Sequence, residues 1–166
     1  MDSKKAIFLD RDGVINKGPR KHDYVKSWKE FKFNPKIFEL LRVASKKRYK
    51  VIVVTNQRGI ARHLYTHEDF LEISKNMLGV LRRKKLYINA VYYCPHEISE
   101  NCSCRKSNPG MFLAAIKDFK VDPTKSIMLG DSRDDGVGAR MAGIRKVVIV
   151  QKNLKKLGIV DKIFNS

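Results

Sequence analysis

The sequence predicts an α/β fold, a parallel sheet covered by helices on both faces, and three observations predict it. Short, continuous, β-branched apolar runs recur along the 166 residues, as strands buried on both faces require. Stretches with apolar residues at helical spacing lie between them. Polar residues and turn formers cluster directly after the apolar runs, where the chain leaves a sheet.

Residues 6–10, "AIFLD", read as the first buried strand. Residues 34–47 read as a helix, with Asn34 as its cap and Pro35 at the first helical position. Ile37, Leu40, Leu41 and Ala44 supply its apolar face. The β-branched run 50–56 is the second strand. Residues 66–86 open with a capping-box pattern, Thr66 to Asp69. Their apolar stripe is Phe70, Ile73, Met77 and Leu81. Residues 88–94 form the third strand, and a polar loop with cysteines runs from 95 to 108. A second Asn-Pro start opens a helix at Pro109. Residues 126–131 are the fourth strand, 133–143 a short helix and 146–150 the fifth strand. The tail, 151–166, is basic and weakly patterned and receives no element. Strands alternating with helices make a Rossmann-like parallel sheet. Trp28, Phe31 and Phe33 are assigned to the core.

The length is that of one domain, 1–166. An apolar content of 43% and a charged content of 31% are those of a globular protein rather than a disordered one. No apolar run approaches the length of a membrane span, and the N-terminal apolar stretch is too short for a signal peptide. A cytoplasmic monomer is the expectation. The formal net charge of +18 admits an anionic partner. The lysines are nevertheless scattered, and their densest runs fall at helix ends, where cations complement the helix dipole.

The polar residues gather where a parallel α/β sheet binds its ligands, outside the carboxyl ends of the strands. The first strand ends in Asp10, with Asp12 following. The second ends in Thr55, Asn56 and Gln57. The fourth ends in Gly130 and Asp131, with Asp134 and Asp135 beyond. Carboxylates converging on one crevice repel each other unless a cation joins them, and hard oxygen ligands in this number suit Mg²⁺. Lys106 precedes a helix whose N-terminus favours anions. Cation, lysine and free N–H groups together make a phosphate site. A carboxylate there can act as nucleophile and a second can carry protons. One aspartate at a strand end is commonly only a turn former. The joint placement of Asp10, Asp12, Thr55, Lys106, Asp131 and Asp135 favours a site.

All three cysteines fall in one window, Cys94-x-His96-x₅-Cys102-x-Cys104. An odd count in one short loop points to metal rather than disulfides. Three thiolates and an imidazole are a tetrahedral zinc set with no position left open, hence structural Zn²⁺. The loop runs directly into Arg105 and Lys106. His22, His63 and His67 receive no role.

These motifs resemble those of the haloacid dehalogenase superfamily. "DRDGVIN" is similar to its first motif, "VVTNQ" to its second, Lys106 to its third and "GDSRDD" to its fourth. The resemblance covers nearly the whole chain, in order, with little room for a cap domain. It implies Asp10 as nucleophile and Asp12 as the acid that protonates the leaving group and then activates water. It implies that Thr55 and Lys106 bind the phosphoryl group. Mg²⁺ would be held by Asp10, the backbone carbonyl of Asp12, and Asp131, with Asp135 in support. The zinc loop, "DRDGVIN" and "TNQRGIAR" narrow the likeness to the heptose 1,7-bisphosphate 7-phosphatases and the related histidinol-phosphate phosphatases. Substrate contacts would then come from Tyr24, Asn56, Gln57, Arg58, Arg105 and Lys106. The implied substrate is a phosphorylated small molecule, a sugar bisphosphate on the way to nucleotide-activated heptose. Ser132 and Arg133 stand where a lysine is common in the family. Histidinol phosphate is the alternative substrate. A nucleic acid is a weaker one, since no basic stripe interleaved with aromatics is present. A non-catalytic phospho-accepting domain would leave Asp12 and the zinc loop without a purpose.

Overall fold

The computed structural model describes residues 4–20, 23–150 and 158–165. His22 and residues 151–157 of the tail lie outside them. Five strands, β1 (Ala6–Leu9), β2 (Lys50–Asn56), β3 (Ala90–Cys94), β4 (Ile127–Gly130) and β5 (Lys146–Ile149), form one sheet in the order β3-β2-β1-β4-β5. Every adjacent pair is parallel. The central strand β1 therefore has β2 on one side and β4 on the other. The polar residues after all three strands meet at one end of the sheet.

Successive residues of a strand face opposite ways, and β1 sorts itself accordingly. Ile7 and Leu9 join a core with Val51, Val53 and Leu129, while Ala6 and Phe8 join one with Ile52, Val54 and Met128. The first core is covered by α1 (Pro35–Lys46), α2 (His67–Arg83) and α5 (Ile159–Asn165). The second is covered by α3 (Gly110–Phe119) and α4 (Arg133–Met141). The result is three layers, as the sequence predicts. Phe31 is buried in the first core, and Trp28 and Phe33 pack against it.

Three expectations are corrected. Residues 159–165 are helical, with Val160 and Ile163 buried against the first core. Phe164 packs its ring 5.3 Å from that of Tyr49. The second helix stops at Arg83 rather than 86, because the following residues break from it and Lys85 is left-handed. Asn34 stands at the N-cap of α1 with Pro35 following, as predicted, but its side chain makes no capping hydrogen bond, and the N-cap of α3 is Pro109 rather than Asn108. The Asn34 side chain, 2% exposed, donates to the carbonyls of Gly13 (3.4 Å), Val14 (2.9 Å) and Asn16 (3.1 Å). Asn108 donates to the carbonyl of Cys102 (2.8 Å), and α3 starts at Gly110. Each asparagine side chain anchors a loop of the site rather than capping the helix that follows. Asn34→Ala leaves buried carbonyls without their donor, so a loss of about 1–3 kcal/mol is expected in denaturant unfolding.

Candidate active site

The chain leaves β1 in a tight turn. Arg11 accepts the backbone N–H groups of Ile15 and Asn16 on its carbonyl. Gly13 has φ +94°, and a Cβ there would collide with the Asp131 carboxylate. Glycine is required here for its backbone angle and for the close approach of Asp131, which follows β4. The turn places Asp10, Asp12 and Asp131 around one cleft of about 730 Å³.

Asp10, Asp131 and Asp135 each present an oxygen within 4.8 Å of the others. Asp10 Oδ1 accepts the Arg11 backbone N–H at 2.7 Å and pairs with Lys106 Nζ at 2.7 Å. The same ammonium lies 2.6 Å from Asp135 Oδ1. Asp135 Oδ2 accepts the backbone N–H groups of Asp131 (2.9 Å) and Ser132 (3.0 Å) at the start of α4. Lys106 is 4% exposed. Burial opposes its charge, but Asp10 and Asp135 outweigh that and hold it well above the ordinary lysine value. Burial pushes the Asp10 carboxyl up, and Asp135 and Asp131 push the same way against Lys106. Asp131 is likewise raised, by burial and then by Asp135.

Asp12 is held from three directions. Arg11 reaches it with Nε (3.3 Å to Oδ1) and Nη2 (3.0 and 2.9 Å to the two oxygens). Asn16 Nδ2 donates to Oδ1 at 2.9 Å and Gln57 Nε2 to Oδ2 at 3.0 Å. Arg11 is fully buried, with its guanidinium 5.5 Å from the Phe70 ring centroid. Thr55, Asn56, Tyr24, Arg105 and Lys106 line the cleft. Arg105 Nη1 is buried with no hydrogen-bond partner. Asn56 Oδ1 accepts the Lys106 backbone N–H at 3.1 Å, tying β2 to the loop that carries both cations.

Two predicted substrate contacts are placed differently. Gln57 is 1% exposed and faces inward, so it bonds Asp12 and Thr55 rather than lining the cleft. Arg58 turns to Glu97 (3.4 Å) and the Tyr24 hydroxyl (3.4 Å). Sequence reasoning missed Arg11 and Asn16 as holders of Asp12. The only available signal was an arginine between two acids, where a surface cation is the ordinary reading. Arg20 and Asp23 were also missed, and both line the cleft.

The cysteine loop closes on itself. Sγ of Cys102 lies 3.4 Å from Cys94 Sγ and 3.5 Å from Cys104 Sγ. His96 Nδ1 lies 3.1 Å from Cys104 Sγ and 3.6 Å from Cys94 Sγ. All three cysteines are free of disulfides. Zn–S bonds of about 2.3 Å give tetrahedron edges of roughly 3.8 Å, so these four atoms need little movement to surround a zinc ion. His63 and His67 stand apart from this set; His67 Nδ1 lies 3.1 Å from the Tyr93 hydroxyl.

The cleft lining holds six aspartates against Arg20, Arg105 and Lys106. The +18 of the whole chain is therefore not concentrated there. An anion can enter such a cleft only with a cation beside the carboxylates, and the oxygen-only donor set fits Mg²⁺. The raised Asp10 and Asp131 point the same way, since a divalent cation would relieve the repulsion.

Comparison with known proteins agrees with this geometry. A family model described as HAD-hydrolase-like matches residues 103–155. The chain is 42% identical over 146 residues to the D-glycero-beta-D-manno-heptose-1,7-bisphosphate 7-phosphatase of Haemophilus influenzae, covering 82% of this chain and 78% of that protein. It is 38% identical to the alpha-anomer 7-phosphatase of Campylobacter jejuni, covering 92% and 86%. The crystal structure of a D,D-heptose 1,7-bisphosphate phosphatase from B. bronchiseptica, complexed with magnesium and phosphate, superposes with a TM-score of 0.77 at 32% identity. It covers 83% of this chain and 76% of that one. At these identities and coverages the chain belongs to the HAD-like phosphatases, in the family of the heptose-1,7-bisphosphate 7-phosphatases.

Proposed function

We propose that this phosphatase removes the 7-phosphate of D-glycero-D-manno-heptose 1,7-bisphosphate, with Asp10 as nucleophile. The observation that carries the reading is the buried Lys106 ammonium joined to both Asp10 and Asp135 at the floor of an acid-rich cleft. It fixes Asp10 in one orientation and puts positive charge where a phosphoryl group would sit. An oxygen of Asp10 attacks phosphorus, and the bond from phosphorus to the sugar oxygen breaks. Asp12, carrying a proton, gives it to that oxygen. Asp12 then takes a proton from water, which attacks the aspartyl-phosphate and releases inorganic phosphate. The Thr55 hydroxyl and Lys106 bind the phosphoryl oxygens.

Mg²⁺ would be held by Asp10, the Asp12 backbone carbonyl and Asp131, and would supply charge neutralisation at the phosphoryl group. Arg105 carries an unpaired buried donor on the cleft lining, so it takes an anionic group of the substrate. Zn²⁺ on Cys94, His96, Cys102 and Cys104 would be structural, setting the loop that delivers Arg105 and Lys106. The chain, 1–166, acts as one unit, and reduced thiols in the zinc loop suit a cytoplasmic setting. No helix among the described residues is long and apolar enough to cross a membrane.

The test is phosphate release with Mg²⁺ on both anomers of the heptose bisphosphate, on histidinol phosphate and on a 3′-phosphorylated oligonucleotide. A heptose bisphosphate should lead in kcat/KM by about 10²-fold or more. An oligonucleotide in the lead would make the +18 charge a binding surface and overturn the substrate assignment. Zinc removal gives a second check. Stripping the metal with a chelator should disorder the loop and cut turnover by about 10²-fold, through misplacement of Lys106. Because the ligands are thiolates, zinc retention should weaken as pH falls.

A further inference from the structure

We propose that Tyr65 and Gln57 form a positioning relay that aims two groups of the site at once, the Asp12 carboxylate and the Thr55 hydroxyl. The proposal rests on the reading that Asp12 carries protons and Thr55 donates to the phosphoryl group.

Gln57 is buried, yet both of its amide hydrogens and its amide oxygen find partners. Nε2 donates one hydrogen to Asp12 Oδ2 at 3.0 Å and the other to Thr55 Oγ1 at 2.9 Å. Oε1 accepts from the Tyr65 hydroxyl at 2.6 Å. An amide can turn over, exchanging oxygen and nitrogen, and only its partners decide which way it lies. In its ionised form, the one that takes the proton from water, Asp12 only accepts, so it demands the nitrogen end. The Tyr65 hydroxyl donates to the oxygen end and locks that choice. Burial raises the Tyr65 hydroxyl well above the ordinary tyrosine value, so it keeps the proton it donates.

The consequence at Thr55 follows from counting. A threonine hydroxyl has one hydrogen to give. Because Oγ1 accepts from Gln57, its own O–H is directed elsewhere, and Thr55 borders the cleft. One amide thus holds the proton carrier and sets the direction of the phosphoryl donor.

The loop is shaped to seat this tyrosine. Tyr65 is 4% exposed, in the turn between β2 and α2. A Cβ at Gly59 would run into the Tyr65 ring, so the missing side chain makes the ring's space. The ring also packs with Ile60 and Phe70 in a small apolar cluster. Packing alone would be satisfied by phenylalanine; the hydroxyl is the part that packing leaves unexplained.

Tyr65→Phe removes only that hydroxyl. In steady-state assays of the Mg²⁺-supplied, zinc-loaded protein on the heptose bisphosphate, kcat should fall about tenfold while KM stays within about twofold. Zinc content and Tm should be retained. In a Gln57→Leu background the same change should have no further effect, since the relay is already cut. Gln57→Glu, which keeps the shape and replaces the amide donors with acceptors, should lower kcat in the same way, and serves if Tyr65→Phe lowers Tm. The relay is overturned if Tyr65→Phe keeps kcat within about twofold, or if the two losses simply multiply. Asp12→Asn separates the two levels. If it is inactive while Tyr65→Phe is normal, only the relay fails. If it turns over within about tenfold of wild type, the proton-carrier reading itself fails and takes the relay with it.

Discussion

Asp10→Asn is expected to lower kcat by at least about 10³-fold while zinc content and fold are retained. The amide keeps the shape of the side chain but cannot attack phosphorus. Its stability effect has the opposite sign. Burial, with Asp135 and Asp131, raises the Asp10 carboxyl in the folded protein, so the unfolded chain ionises it more easily. A carboxyl raised in this way leaves folding most stable below its ordinary pKa and costs stability as pH rises through it. The amide has no such cost. Without added Mg²⁺, the variant should therefore lose less stability than wild type between acid and neutral pH, in parallel thermal melts. Residual turnover within about tenfold of wild type would contradict the nucleophile assignment.

Lys106→Met should damage both function and fold. Lys106 touches Asp10 and Asp135 at once and is almost wholly buried. Removing one partner of a buried ion pair leaves uncompensated charge and costs about 3–5 kcal/mol. The activity loss should be about 10³-fold, because the charge opposite the phosphoryl group goes with it. The pH dependence checks the cause. Without the ammonium, which opposes the upward push on Asp10, the Asp10 carboxyl shifts further up, and a protonated carboxyl needs no partner. The stability deficit should be large at neutral pH and shrink as pH falls. A deficit independent of pH would mean that the lost packing of the lysine stem, rather than the ion triad, is responsible.

The strand ends were legible because buried parallel strands read as unbroken apolar runs, so the first polar residue marks the carboxyl edge. Asp10, Thr55 and Asp131 follow from that alone. The cysteine loop was legible because spacing is chemistry there: four ligands in one short window have few other uses. The orientation of side chains just past a strand was not legible. Asn56 and Gln57 are neighbours, and the turn sends them opposite ways, one towards the Lys106 backbone and the other inward. Arg11 shows the same limit, since a fully buried arginine is rare and its burial depends on Phe70 arriving from a distant part of the chain. The tail helix was missed because seven residues carry too weak a period to stand out from a basic segment. Its stability comes from docking on the first core, not from propensity.

The central claim, that Asp10 takes the phosphoryl group of a sugar bisphosphate, can be tested by trapping. The protein would be mixed with heptose bisphosphate and Mg²⁺, quenched in acid within a single turnover, and reduced with borohydride, which converts an acyl phosphate to the alcohol. Peptide mass spectrometry then locates the change. The account predicts reduction at Asp10 within residues 6–11, dependent on substrate and absent in Asp10→Asn. Rapid turnover of the bisphosphate with Asp10 unmodified, or with the reduced residue at Asp12 or Asp131, would contradict it.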